Sequence, residues 1–198
     1  MTYLFPAAAE PIRQGDIFYP LPRTAADLTR DSVLLPDGRS WKVGLLGETR
    51  AEVVIQTTVH QEYAILISQD CDAERMPYLS FNTILPLMVA YRGASRPQSD
   101  SAWVKFITRE MKINPHLFYL PSDPALGFTD RMAVVFAQAF QVHRTDVESN
   151  LSTLRKGRLD DVALTHFRES LAKFYSRLAY DEWYPMTPEE KAQYLDRR

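Results

Sequence analysis

The chain has 198 residues, 45% hydrophobic and 24% charged, the balance of a chain that buries a core rather than of a disordered or low-complexity one. Its 23 Lys and Arg against 25 Asp and Glu give a formal net charge of −2. That excludes a protein whose whole surface grips nucleic acid or anionic lipid, and leaves room for a local basic site. One cysteine, Cys71, cannot build an internal disulfide framework, which points to a reducing, cytoplasmic setting. The longest apolar runs, residues 63–67 and 133–137, are far short of the roughly 20 residues that span a bilayer. The run Ala7-Ala8-Ala9 has neither a positive leader nor a continuous apolar core before it, so it is read as mature chain.

In chain order, Gly15-Asp16-Ile17-Phe18-Tyr19-Pro20 predicts a short strand opened by glycine and closed by proline. Leu35-Pro36-Asp37-Gly38-Arg39 is a turn signal, and residues 42–46 follow as a possible strand. The β-branched content of residues 51–59 (Val53, Val54, Ile55, Thr57, Thr58, Val59) favours a strand. Polar His60-Gln61-Glu62 then reads as the turn of a hairpin whose second arm is residues 63–68. Because Tyr63-Ala64-Ile65-Leu66-Ile67 lacks polar alternation, that arm is expected to be central and covered on both faces. Residues 77–87 predict a further strand, 92–101 an exposed loop, 102–112 a short helix stopped by Asn114-Pro115, and 116–120 a strand. Residues 131–143 fit two patterns. Bulky Met132, Val134, Phe136, Phe140 and Val142 at even positions favour a strand, while Met132, Val135, Phe136, Ala139 and Phe140 also fit one face of a helix.

The last third is helical in pattern. Leu164, Phe167, Leu171, Phe174 and Leu178 advance by three and four, a single apolar stripe, with Asp160 and Asp161 at the N-cap and first turn. Thr187-Pro188-Glu189-Glu190 is a capping box that starts a closing helix. Strands followed by helices make the class α+β. The organisation expected is a strand-rich body over residues 1–144, with helices over 145–198 packed on it as one domain.

The densest polar cluster, Ser68-Gln69-Asp70-Cys71-Asp72-Ala73-Glu74-Arg75, follows the most buried-looking strand, where loops commonly mount functional groups. Three readings compete there. Alternating Asp70, Asp72 and Glu74 would face one way in extended geometry and hold a hard cation such as Mg²⁺, although no second acidic group with matching spacing appears elsewhere. Cys71 would be a nucleophile, although flanking carboxylates raise a thiol's pKa. The structural reading makes Cys71 a small buried hydrophobe and uses Asp70 and Asp72 as turn or helix caps. The four histidines, His60, His116, His143 and His166, form no ligand pair, and no glycine-rich phosphate loop is present. No cofactor is implied. Residues 151–180 carry a local positive balance, and Arg155-Lys156-Gly157-Arg158 reads as a basic turn before the helix, a candidate phosphate contact for RNA or DNA. Tyr175, Tyr180, Trp183 and Tyr184 are the accompanying aromatics.

Gly15-Asp16-Ile17, followed some fifty residues later by Ala64-Ile65-Leu66-Ile67-Ser68, resembles the opening of the PemK/MazF-like toxins, in which these strands begin a small SH3-like barrel. The fuller pattern Leu66-Ile67-Ser68-Gln69-Asp70-Cys71-Asp72, with Phe118-Tyr119-Leu120-Pro121 and a long C-terminal helix, looks like an uncharacterised bacterial offshoot of that barrel. The resemblance covers residues 13–90 and implies a barrel elaborated with insertions and a helical C-terminal region. It also implies a place in a bacterial toxin–antitoxin, antiviral defence or mobile-element system. An active relative would be a metal-independent endoribonuclease, with a base, an acid and a cationic group supplied by Asp70, His60 and Arg75. The family's arginine ahead of the second strand is replaced here by His60-Gln61-Glu62-Tyr63. That favours a non-catalytic adaptor that binds a partner protein, with a homodimer as one expected assembly, RNA binding as the remaining alternative and no membrane partner.

Overall fold

Neighbouring residues on the central strands go to opposite cores: Ile17 and Ile65 into one, Phe18, Ala64 and Leu66 into the other, as the period-two geometry of a strand requires. The computed structural model describes residues 2–24, 32–34, 40–42, 54–56, 59–91, 96–110, 114–176 and 187. Its strands are β1 (Tyr3–Leu4), β2 (Asp16–Thr24), β3 (Ser32–Leu34), β4 (Ser40–Lys42), β5 (Val54–Gln56), β6 (Val59–Leu66), β7 (Tyr78–Pro86), β8 (Leu117–Leu120), β9 (Met132–His143) and β10 (Arg155–Leu159). Its α-helices are α1 (Asp70–Ala73), α2 (Leu87–Ala90), α3 (Asp100–Lys105), α4 (Arg144–Ser149), α5 (Leu151–Leu154) and α6 (Asp161–Tyr175).

Seven strands form one antiparallel sheet in the order β1-β10-β2-β6-β7-β9-β8, and β4-β3-β5 form a second, three-stranded sheet. The class is α+β, as expected. The large sheet does not close: β1 and β8 are its edges among the described residues. One face packs Ile17, Ile65, Ile84, Leu120, Val134 and Phe136 against Phe167 and Phe174 of α6. Asp160 caps that helix, its Oδ1 accepting the Ala163 N–H at 2.8 Å, and Leu164, Phe167, Leu171 and Phe174 of the apolar stripe read from the sequence form its core-facing side, Leu178 lying outside the described residues. The opposite face packs Phe18, Leu66, Leu79 and Phe81 against Val147, Leu151 and Leu154 of α4 and α5. Each fully buried Phe or Leu contributes about 1.5–3 kcal/mol by leaving water, so the two layers supply most of the drive to fold. A smaller cluster joins Leu87, Trp103, Phe106, Leu117 and Ala133.

Several expectations are corrected. His60, Gln61 and Glu62 are not a hairpin turn. They belong to β6 and pair with Arg23, Pro22 and Leu21 of β2, while Val54–Gln56 sits in the other sheet. Residues 155–158 are not a turn but most of β10, which runs between β1 and β2, so the helical third contributes a strand to the sheet. The helix expected over 102–112 starts earlier as α3 and continues as a π-helical turn, Phe106–Glu110. The turn at residues 35–39, residues Tyr180, Trp183 and Tyr184, and the capping box beyond Thr187 lie outside the described residues. Among the described residues, no helix is long and apolar enough to cross a membrane.

Residues 131–143 are a strand, with one irregularity. Asn82 of β7 pairs with Ala139 but Thr83 pairs with Val135, so residues 136–138 bulge out of β9 opposite a single step of β7. Three extra residues are an odd number, so the strand turns over. Met132, Val134 and Phe136 face one core, whereas Phe140 and Val142 pack on the other. The fully buried Asn82 holds the bulge through its side-chain amide, which donates to the Phe136 carbonyl at 3.1 Å.

Candidate functional site

Gly15 adopts φ +89°, a left-handed conformation open to glycine at little cost. A Cβ there would also stand 2.8 Å from Leu164 Cδ1 of α6. This turn delivers Asp16 to the sheet interior, where its side chain is wholly inaccessible to solvent. Asp16 Oδ2 accepts the Arg13 N–H at 3.1 Å, Arg155 Nη1 at 3.3 Å and Arg158 Nη2 at 3.2 Å, while Oδ1 accepts Arg158 Nε. The two guanidiniums also reach outward to backbone. Arg155 donates to the carbonyls of Ala7, Glu10 and Pro11, and Arg158 donates to that of Pro11 and pairs with Glu10 at 3.4 Å. Burial opposes the Arg158 charge, but the hydrogen bond and charge of Asp16, with Glu10 and Asp70 adding to them, outweigh it and raise the guanidinium pKa.

A second, shallower polar group lies beside the first. Gln14, almost buried, links the end of β6 to α6. Its backbone N–H donates to Asp70 Oδ1 at 2.8 Å, its side-chain amide donates to the Ile67 carbonyl at 2.8 Å, and its Oε1 accepts Arg168 Nε at 2.7 Å. Arg168 Nη2 closes the ring on Asp70 Oδ2 at 3.2 Å, with both side chains about half exposed. Ser68 fixes the preceding turn by accepting the Ser80 N–H at 2.9 Å. Gln14, Gln69, Asp70 and Cys71, with Arg168, Leu171, Ala172 and Tyr175 of α6, line an open groove of about 610 Å³.

Of the residues expected to act together, Asp70 is in this groove, but His60 is not. His60 sits near the start of β6, opposite Arg23, six residue steps along the strand from the Leu66 end from which Asp70 follows; at about 3.3 Å per residue that is roughly 20 Å. Arg75 is exposed, just past α1, its backbone N–H bonded to the Asp72 carbonyl at 3.1 Å. Cys71 is exposed rather than buried, because α1 is one short turn in which only Ala73 is covered. Asp70 and Asp72 lie in the first turn of α1, whose N-cap is Gln69, with no side-chain cap. Asp70, Asp72 and Glu74 do not converge: among the described residues no group of three His, Cys, Asp or Glu could hold a metal ion. The basic triplet is divided. Arg155 and Arg158 point inward to Asp16, and Lys156 bonds the Thr153 carbonyl at 2.8 Å.

In the sequence Asp16 reads only as part of a strand opening, and neither Gln14 nor Arg168 stands out. The Gly15-Asp16 pair was the available signal, since a carboxylate fixed beside an obligatory glycine needs a partner. No family model matches the chain, and no curated protein matches it.

Proposed function

We propose that the chain is a non-catalytic binding protein, a relative of the toxin-like SH3 barrels that serves a bacterial conflict or defence system by docking a partner protein in the groove between Gln69–Cys71 and α6. The observation that carries this reading is the state of the groove's polar groups. Asp70 and Arg168 already bind each other and Gln14, while the exposed Ala172 and Tyr175 are left to meet a ligand. A general base needs an unengaged lone pair beside the substrate and an acid within reach. Asp16 is saturated and buried, and His60 is a strand length away. Exposed aromatic and aliphatic side chains around a paired ion suit recognition better than bond cleavage. The inward turn of Arg155 and Arg158 weighs against a phosphate-gripping surface there.

The test has two arms. Single-stranded RNAs of mixed sequence, incubated with the purified chain with and without Mg²⁺, should remain intact. Peptides selected by display against the chain should perturb the NMR signals of Gln14, Cys71, Leu171 and Tyr175 and bind more weakly to Tyr175→Ala. RNA cleavage, or binders that map elsewhere, would overturn the reading.

A further inference from the structure

The outer edge of β9 beyond β8 is a second surface, independent of the groove and of the function proposed for it. β8 pairs with β9 only through Met132–Val135, and the Phe136 N–H donates to the His116 carbonyl at 3.0 Å; after that, among the described residues, no strand pairs with the outer edge of β9 as it runs on to His143. The direction of its free backbone groups follows from its other neighbour. Ser80 of β7 turns both main-chain groups towards the β6 side, its carbonyl accepting the Ile67 N–H at 2.9 Å and its N–H donating to Ser68 Oγ at 2.9 Å. Antiparallel pairs alternate between bonded and non-bonded, so Ser80–Gln141 is a non-bonded pair, and so are Tyr78–His143 and Asn82–Ala139. The Arg144 N–H, bonded to the Pro77 carbonyl at 2.8 Å, keeps the same phase. Ala139 and Gln141 therefore direct N–H and C=O away from β7, and His143 its N–H, its carbonyl being the N-cap acceptor of α4; no described residue bonds these groups. They form a row of donor–acceptor sites spaced about 6.8 Å apart.

Such an edge accepts an added strand, and soluble proteins usually guard it with lysine, proline or an inward charge. Here residues 132–143 contain no Asp, Glu, Lys, Arg or Pro. We propose that this edge pairs with the same edge of a second copy of the chain, antiparallel about a two-fold axis at Gln141, joining two seven-stranded sheets into one. The sequence is compatible with its own reverse: Gln141 meets Gln141, and small Ala139 meets His143, with no like charges opposed. Three facing pairs supply about four main-chain hydrogen bonds, two at Gln141–Gln141 and one from each His143 N–H to the opposing Ala139 carbonyl. The side chains of Ala139, Gln141 and His143 are exposed, so pairing leaves the core untouched.

The test uses charge at the axis. Gln141→Lys places two ammonium groups opposite each other in the dimer and none in the monomer. Sedimentation equilibrium should show a concentration-dependent dimer for the native chain and a dissociation constant raised about tenfold or more for Gln141→Lys. Gln141→Glu should weaken the dimer likewise, and mixing the two variants should restore it as a heterodimer. Independently, amide exchange at Ala139, Gln141 and His143 in the native chain should slow as concentration rises, with Phe140 and Val142 slow throughout. A native chain that stays monomeric to millimolar concentration, or a dimer indifferent to both charges, overturns the proposal.

Discussion

Removing the Asp16 carboxylate tests whether burial, rather than the presence of an ion pair, sets the strength of this network. Asp16→Ala leaves Arg155, whose side chain is 3% exposed, and Arg158, 10% exposed, facing each other across an empty site. An uncompensated charge left in a buried pair typically costs about 3–5 kcal/mol. In a chain of this length that is a fall of roughly 6–20 °C in Tm. Arg168→Ala removes a pairing of the same chemistry from the groove, where both partners are about half exposed; exposed pairs are worth about 0–1 kcal/mol. Urea denaturation followed by far-ultraviolet circular dichroism, with thermal melts as a second readout, measures both variants on one scale. The expected result is a loss at least three times larger for Asp16→Ala than for Arg168→Ala, with unchanged m-values. Equal losses, or a loss below about 1 kcal/mol for Asp16→Ala, would refute the argument that desolvation dominates here.

Asn82→Ala should destabilise by about 1–3 kcal/mol, because the Phe136 carbonyl at the β9 bulge loses its buried donor; an unchanged urea midpoint would contradict this. Native chain should take up one equivalent of a thiol reagent at Cys71 without denaturant, and silence until unfolding would show the thiol to be covered. Burial raises the phenol pKa of Tyr3, further supported by the nearby Tyr119 and Asp123, and burial likewise raises that of Tyr63. The unfolded chain therefore loses these protons first as pH rises. Stability should be fully present below about pH 10 and decline above it, by up to about 1.4 kcal/mol per pH unit for Tyr3 alone. Tyr3→Phe should flatten that decline, at the loss of its 2.8 Å hydrogen bond to the Pro121 carbonyl. A urea midpoint that stays level through pH 11 would rule this out.

How far the sequence reveals the molecule depends on whether the signal is local. The stripe Leu164, Phe167, Leu171, Phe174 is written within one helix and was legible, as was the Asp160 cap. β10 was not. Its Arg155-Lys156-Gly157-Arg158 composition is poor for a strand, and it is stabilised by Asp16, 139 and 142 residues away from the two arginines, a partnership that leaves no periodic trace. His60-Gln61-Glu62 looked like a turn because the outer half of β6 is solvated while its inner half, Ala64–Leu66, is buried; composition changes there without a change of element. In the groove, the wall around Asp70 was visible as a polar cluster. Gln14 and Arg168, contributed from far along the chain in both directions, could be placed only by the fold.

The three-residue bulge in β9 also bears on how the molecule comes apart. Since one continuous strand supplies Met132, Val134 and Phe136 to the α6 side and Phe140 and Val142 to the α4–α5 side, neither layer can release it and stay intact. The two hydrophobic layers should therefore melt in one cooperative transition, with no stable half-folded species in which one set of helices has detached.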